Sequence, residues 1–117
     1  MNVSAPVLSP RRRQSGGCWA PAAQPQIDAE QAAALATVAK ALGDPTRMRI
    51  VDTVRSAAPE AVCQCELLPL FAMSQPALAK HLKVLVAASV IGSERRGLWT
   101  YYFLMDAGLE ELRTWLS

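Results

Sequence analysis

Cys63-Gln64-Cys65 sets two soft sulfur donors two residues apart, and Cys18 is the only other cysteine in the chain. Thiolates can act as nucleophiles, as redox partners or as ligands for soft ions, depending on what surrounds them. Three is an odd number of cysteines, which argues against a disulfide framework. Free thiols at Cys63 and Cys65 suit a reducing cytoplasm. A set of three thiolates fits As(III) or Sb(III), whose lone pair favours a three-coordinate pyramid. Cadmium and zinc prefer a fourth donor, and lead(II) also accepts three thiolates. His81 is the only histidine, and no nucleophile–base pair stands out, so the sequence does not read as an enzyme. The blander reading of Cys63 and Cys65 is two small core residues, since free cysteine is often buried.

Capping residues and apolar spacing outline the elements that would position these thiols. Residues 1–26 carry Pro6, Pro10, Gly16, Gly17, Pro21 and Pro25 and read as a flexible arm ahead of one domain over 27–117. A first helix is expected from about Asp28 to Leu42, with Asp28 and Gln31 as a capping box and Ile27, Ala34, Leu35, Val38 and Leu42 near helical spacing. Gly43 stops it. A second helix starts at once, capped by Asp44 with Pro45 at its first position. A short third helix is expected over about Val62 to Leu70, bent or shortened by Pro69. A fourth follows a tight connection and begins at Ser74, with Leu78, Leu82 and Leu85 on one face and Pro76, Lys80 and Lys83 on the other. Val90 to Leu104 reads as a β-hairpin turning at Arg96-Gly97, rich in strand formers such as Trp99, Tyr101 and Tyr102. A last helix is expected from about Asp106 to Leu116, with Met105, Leu109, Leu112 and Leu116 in one stripe.

Length and charge narrow the class. The 117 residues suffice for one domain, and the 51% hydrophobic content can supply its core. No apolar run approaches the ~20 residues needed to cross a bilayer, and no secretory signal is read at the N-terminus. Residues 1–26 are free of acids and include Arg11-Arg12-Arg13, a faint likeness to a transit peptide that lacks the amphipathic spacing. The formal net charge is +2, but from Ser74 to Phe103 the charges are Lys80, Lys83, Arg95 and Arg96 against Glu94 alone. That basic stretch reads equally as a nucleic-acid face or as a solvated surface.

The order helix, helix, helix–turn–helix, hairpin, helix predicts a mainly α winged helix-turn-helix with a small β-hairpin. In that arrangement the second helix of the pair enters the major groove and the wing touches the backbone or minor groove. Ser74, Gln75, Ala77, Lys80, His81 and Lys83 on the helix, with Arg95 and Arg96 at the wing, are the candidate contacts to double-stranded operator DNA. Gln can read adenine bidentately, while Lys mostly meets phosphate. His81 sits at the edge of the buried face, where packing or a supporting hydrogen bond is the expected role. Trp99, Tyr101 and Tyr102 are expected in the hairpin core. The apolar stripes of the first and last helices have nothing left to cover in so small a fold, so a homodimer is expected. Thiols near a helix N-terminus ionise more readily. On a regular helix, however, residues i and i+2 lie about 200° apart, so the two sulfurs share an ion only where the first turn is irregular or unwinds. Ion binding is then expected to distort the third helix and reposition the fourth.

Four segments in this order resemble the ArsR/SmtB family of metalloregulatory repressors: "LGDPTRMRI" (Leu42 to Ile50), "CQCEL" (Cys63 to Leu67), "SQPALAKHLKVL" (Ser74 to Leu85) and "RRGLWTYYFL" (Arg95 to Leu104). The resemblance as a whole covers roughly Ile27 to Ser117. The resemblance implies a homodimeric repressor released from its operator when a metal or metalloid binds, with the CxC as part of the site. One arsenite-sensing pattern in the family has a third cysteine at the position of Leu68, and this chain departs from it. Another arrangement brings in a cysteine from the N-terminal arm, and Cys18 would take that role, in its own subunit or across the dimer. The cadmium/lead branch supplies two arm cysteines where this chain has one. The family's other site uses Asp and His pairs on the last helix, and here that helix has Asp106, Glu110 and Glu111 but no histidine. As(III) or Sb(III) is thus the implied inducer, held by Cys18, Cys63 and Cys65. The alternatives are a Pb(II)/Cd(II)-responsive repressor and a dithiol redox switch.

Overall fold

The computed structural model describes Val7 and residues 24–117. The arm expected over residues 1–26, including Cys18 and Arg11 to Arg13, thus lies almost entirely outside the described residues.

Helix α1 spans Ala29–Leu42 and starts on the expected capping box. The Asp28 carboxylate accepts from the Gln31 amide at 2.8 Å, and the Gln31 side chain accepts from the Asp28 amide at 3.2 Å. Helix α2, Pro45–Ala57, begins two residues after α1 closes on Gly43, and Asp44 caps it through the Arg47 amide at 3.0 Å. Ile50, Val51 and Val54 bury its inner face.

The next segment departs from expectation. The single helix expected over Val62 to Leu70 is three pieces: strand β1 at Val62–Cys63, helix α3 at Gln64–Leu67, and a 3-10 turn at Leu68–Leu70. Two local causes explain the break. Cys63 has extended backbone and serves as the N-cap of α3, so it lies outside the helix. Pro69 has no N–H to continue an α-helical ladder, and the chain tightens into the 3-10 turn.

Helix α4 spans Gln75–Ala87, with Ser74 Oγ accepting from the Ala77 amide at 3.3 Å. Leu78, Leu82 and Leu85 are fully buried, while Lys80, Lys83 and Val84 are exposed. Each such leucine contributes ~1.5–3 kcal/mol by leaving water, so this face fixes how the helix sits.

Strands β2 (Ile91–Arg96) and β3 (Trp99–Leu104) form the wing. Arg96 pairs with Trp99, so the turn is Gly97-Leu98 rather than the expected Arg96-Gly97. Gly97 holds φ at +62°, where a side chain is disfavoured and glycine is not. At Gly92 an added Cβ would meet the Phe103 ring at 2.5 Å, so that ring lies directly across the neighbouring strand. The hairpin is also two thirds of a sheet: β1 pairs antiparallel with β3, giving the order β1-β3-β2. Trp99 was expected in the hairpin core but is 54% exposed, whereas Tyr102 is buried.

Helix α5 spans Asp106–Leu116. Leu109 and Leu112 pack on the core, while Trp115 and Leu116 remain exposed. α5 lies against α1, and Ile27, Ala34, Leu35, Ala107 and Trp115 line an open cavity of about 680 Å3 between them. The architecture is a winged helix-turn-helix, with α3 and α4 as the helix pair and β2–β3 as the wing. Among the described residues no helix is long and apolar enough to cross a membrane.

Candidate thiol site and nucleic-acid interface

Cys63 and Cys65 meet. Their Cα atoms are 5.1 Å apart and their sulfurs are joined as a disulfide. The divergence expected of i and i+2 on one helix does not arise, because Cys63 is in the strand and Cys65 in the first turn of α3. The convergence is built by capping. The Cys65 amide donates to Cys63 Sγ at 3.3 Å, and the Glu66 carboxylate accepts from the Cys63 amide at 2.8 Å. This is a capping box with cysteine in the place of serine or threonine. Glu66 stands three residues after Cys63, and that spacing was the sequence signal for a helix starting at Gln64, two residues later than expected. No unwinding of α3 is needed for the two sulfurs to reach one atom.

Burial is unequal. Cys63 is 4% exposed, while Cys65 faces solvent. One sulfur is thus fixed in the core and the other is reachable. Among the described residues no three His, Cys, Asp or Glu side chains gather as a metal site. The pair suits a soft ion as two thiolates in the reduced state, and the described residues offer no third donor beside them.

Both flanks of the pair lead to the elements that carry the candidate DNA contacts. Cys63 pairs with Tyr101 on β3, so its backbone is stitched to the wing. On the other side α3, the 3-10 turn and Phe71 lead to Ser74 and α4. Phe71 is buried, and the Arg49 guanidinium of α2 lies 5.2 Å above its ring, which pins this connection to the helix behind it.

The interface candidates divide. Gln75, Lys80 and Lys83 are exposed on α4 as expected, Ser74 is exposed but spends its hydroxyl on the cap, and Ala77 is half-buried. Arg95 and Arg96 are exposed on β2, Arg95 donating to the Gly97 carbonyl at 3.2 Å and Arg96 pairing with Glu94 at 3.3 Å. That exposed pair holds little energy and can exchange for a phosphate. His81 turns away from this surface. Its Nδ1 is 3.4 Å from Arg47 Nη1 and 3.9 Å from the Asp44 carboxylate. Arg47 also donates to the Ala41 and Lys40 carbonyls at 2.6 and 3.3 Å, tying the end of α1 to α4. The Arg47 backbone hydrogen bond holds the Asp44 carboxyl below the usual carboxylate range, with nearby Arg47 and His81 adding to it. Sequence reading missed Arg47, since nothing in its spacing marks a contact 34 residues away at His81.

The comparisons agree with this architecture. Residues 44–91 match the model of a bacterial regulatory protein family, the arsR family. The arsenical resistance operon repressor of Bacillus subtilis is 37% identical over 78 residues, which cover 67% of this chain and 70% of that protein. An ArsR-like transcriptional regulator from Rhodococcus sp. RHA1 superposes with a TM-score of 0.63 at 29% identity, covering 74% of this chain and 79% of that one. The homodimeric winged helix-turn-helix domain of a possible ArsR-family regulator from Mycobacterium bovis shares the fold, with a TM-score of 0.61 at 23% identity over 82% of this chain and 84% of that one. Family and fold are those of DNA-binding transcriptional regulators, not enzymes. With a relative this similar over this much of its length, the chain belongs to the ArsR family of bacterial transcriptional regulators.

Proposed function

We propose that the protein is a metalloid-responsive repressor that binds operator DNA as a homodimer and lets go when As(III) or Sb(III) binds its thiols. The observation that carries this is the convergence of Cys63 and Cys65 at a point joined to the wing through the Tyr101 pairing and to α4 through α3. An ion drawn onto both sulfurs pulls on the strand and the helix together, and both lead to residues that would meet DNA. Supporting it, arsenical resistance repressors of Bacillus subtilis and Staphylococcus aureus are 37% and 33% identical to the chain. Cys18 is the proposed third donor. The uncovered α1–α5 face, with Ile27, Leu35 and Trp115, is the proposed dimer contact. Gln75, Lys80, Lys83, Arg95 and Arg96 are the proposed DNA contacts, with His81 as a positioning residue behind them. A cytoplasmic site of action follows from the need for reduced thiols and for DNA.

A second reading has its own observation, the Cys63–Cys65 disulfide. Here an oxidant such as a peroxide takes two electrons from the two thiols and is itself reduced, and DNA is released without any ion.

One experiment separates the readings. Reduced protein is bound to labelled DNA from upstream of its own gene and followed by fluorescence anisotropy. It is titrated with arsenite, antimonite, lead, cadmium or peroxide. Release by arsenite or antimonite, lost in Cys63→Ser and Cys18→Ser, is the expected result. Release by lead or cadmium alone moves the inducer to those ions. Release by peroxide alone establishes the redox reading.

A further inference from the structure

The tip of the wing carries two large apolar side chains in succession, Leu98 at 86% exposure and Trp99 at 54%. A lone exposed leucine asks for no explanation. Here the fold calls for neither residue. The two-residue turn needs glycine at its first position, where Gly97 holds φ at +62°, and its second position, Leu98, makes no demand for an apolar side chain. A Cβ added at Gly97 would meet no atom within 4 Å, so the turn stands clear of the body. Its surroundings are cationic. Arg95 and Arg96 lead into the turn, and Arg95 steadies it by donating to the Gly97 carbonyl at 3.2 Å. Leu98 and Trp99 also border one groove with Gln75, the first residue of α4, so the apolar tip and the start of that helix share a side of the molecule.

We propose that Leu98 is a wedge for the minor groove of operator DNA. Its side chain enters between two base pairs, partly unstacks them and kinks the duplex, while Arg95 and Arg96 meet the phosphates that border the groove. The inference rests on the operator-binding part of the proposed function and adds how one step of the DNA is selected. Charge complementarity names the occupant. An apolar protein surface would gain nothing from the two arginines beside the tip, whereas the minor groove sets phosphates on both sides of a base stack that an aliphatic side chain can enter. Trp99, next in the chain, extends the apolar surface behind the wedge. Opening a step costs least where stacking is weak and flexible, as at TA, so the wing would read deformability rather than base edges.

The test uses reduced protein and DNA from upstream of its own gene. A footprint locates the minor groove at the edge of the protected region. There 2-aminopurine replaces adenine one position at a time, because its fluorescence rises on unstacking. The native protein is expected to raise that signal at one step, and to prefer a TA step there over a GG step by about tenfold. Leu98→Ser is expected to abolish the rise and bring the preference towards one. It also weakens binding with no change in the slope of log affinity against log salt, since leucine neutralises no phosphate. Leu98→Met is expected to keep the unstacking signal and the preference. Arg96→Ala is expected to lower the slope instead. Leu98 is exposed at a turn, so its substitutions leave the fold in place. An unchanged 2-aminopurine signal in the native complex overturns the wedge and leaves operator binding standing, as does native affinity and step preference in Leu98→Ser. Loss of self-association in Leu98→Ser, with unstacking retained, would give the tip to a second copy of the chain and overturn the wedge too. Failure of the native protein to bind that DNA removes the operator reading and this inference with it.

Discussion

Helix α4 and the segment from Val62 to Leu70 stand next to each other and are built by opposite rules. α4 is regular over 13 residues, with a Ser74 cap, three buried leucines and an exposed cationic face. The segment before it changes backbone type twice within nine residues, from strand to one turn of α-helix to a 3-10 turn. The regular element offers a rigid surface for the proposed contact with DNA. The broken one offers two sulfurs that a regular helix would have held apart. The proposed function thus places reading on the stiff element, and sensing on the one whose local geometry is set by a cap and a proline.

The contrast can be broken from either side. The largest effect is expected on the stiff side. Leu82→Ala removes a fully buried side chain and is expected to cost ~2–5 kcal/mol in urea unfolding, with DNA binding falling along with folded protein. A loss under ~0.5 kcal/mol would mean that α4 is not held by that face. Next, Lys80→Ala and Lys83→Ala are each expected to weaken binding to all DNA sequences alike. Each lowers the slope of log affinity against log salt by about one. An unchanged slope removes that lysine from the interface.

On the sensing side, Glu66→Ala takes away the acceptor of the Cys63 amide, worth ~1 kcal/mol. It is expected to alter arsenite sensitivity with little change in DNA affinity of the ion-free protein. The reverse pattern would show that the cap serves α4 rather than the thiols. The smallest effect is acid-dependent. Asp44 sits below its ordinary pKa in the folded protein, chiefly through the Arg47 amide. Its stabilising share is therefore complete above the ordinary carboxylate pKa and is lost as pH falls through the depressed folded value. Asp44→Asn keeps a capping side chain, and the expected outcome is a shallower fall of stability in acid. An identical acid profile would show that the Asp44 charge contributes nothing measurable.

The same contrast governs what was legible in the sequence. Asp28 with Gln31, Asp44 with Pro45, and Ser74 with Pro76 marked three helix starts correctly, because capping depends on neighbours in sequence. The leucine spacing of α4 gave its buried face for the same reason. The Val62–Leu70 segment was misread because its apolar residues are too few to display a period, and the Cys63–Glu66 box was hidden behind an unusual capping residue. The β1–β3 pairing, the Arg49–Phe71 contact and the Arg47–His81 contact were not legible at all. Each joins residues far apart in sequence, and a two-residue strand carries no pattern of its own. The exposure of Trp99 was missed because strand propensity does not say which end of a hairpin leaves the core.

The thiol claim is tested most directly by arsenic K-edge X-ray absorption on the reduced full-length protein loaded with one equivalent of arsenite. Three sulfur neighbours around arsenic are expected, falling to two sulfurs and one oxygen in Cys18→Ser. Arsenic surrounded by oxygen alone, in protein whose thiols titrate as free, would contradict the claim that Cys63 and Cys65 form the sensing site.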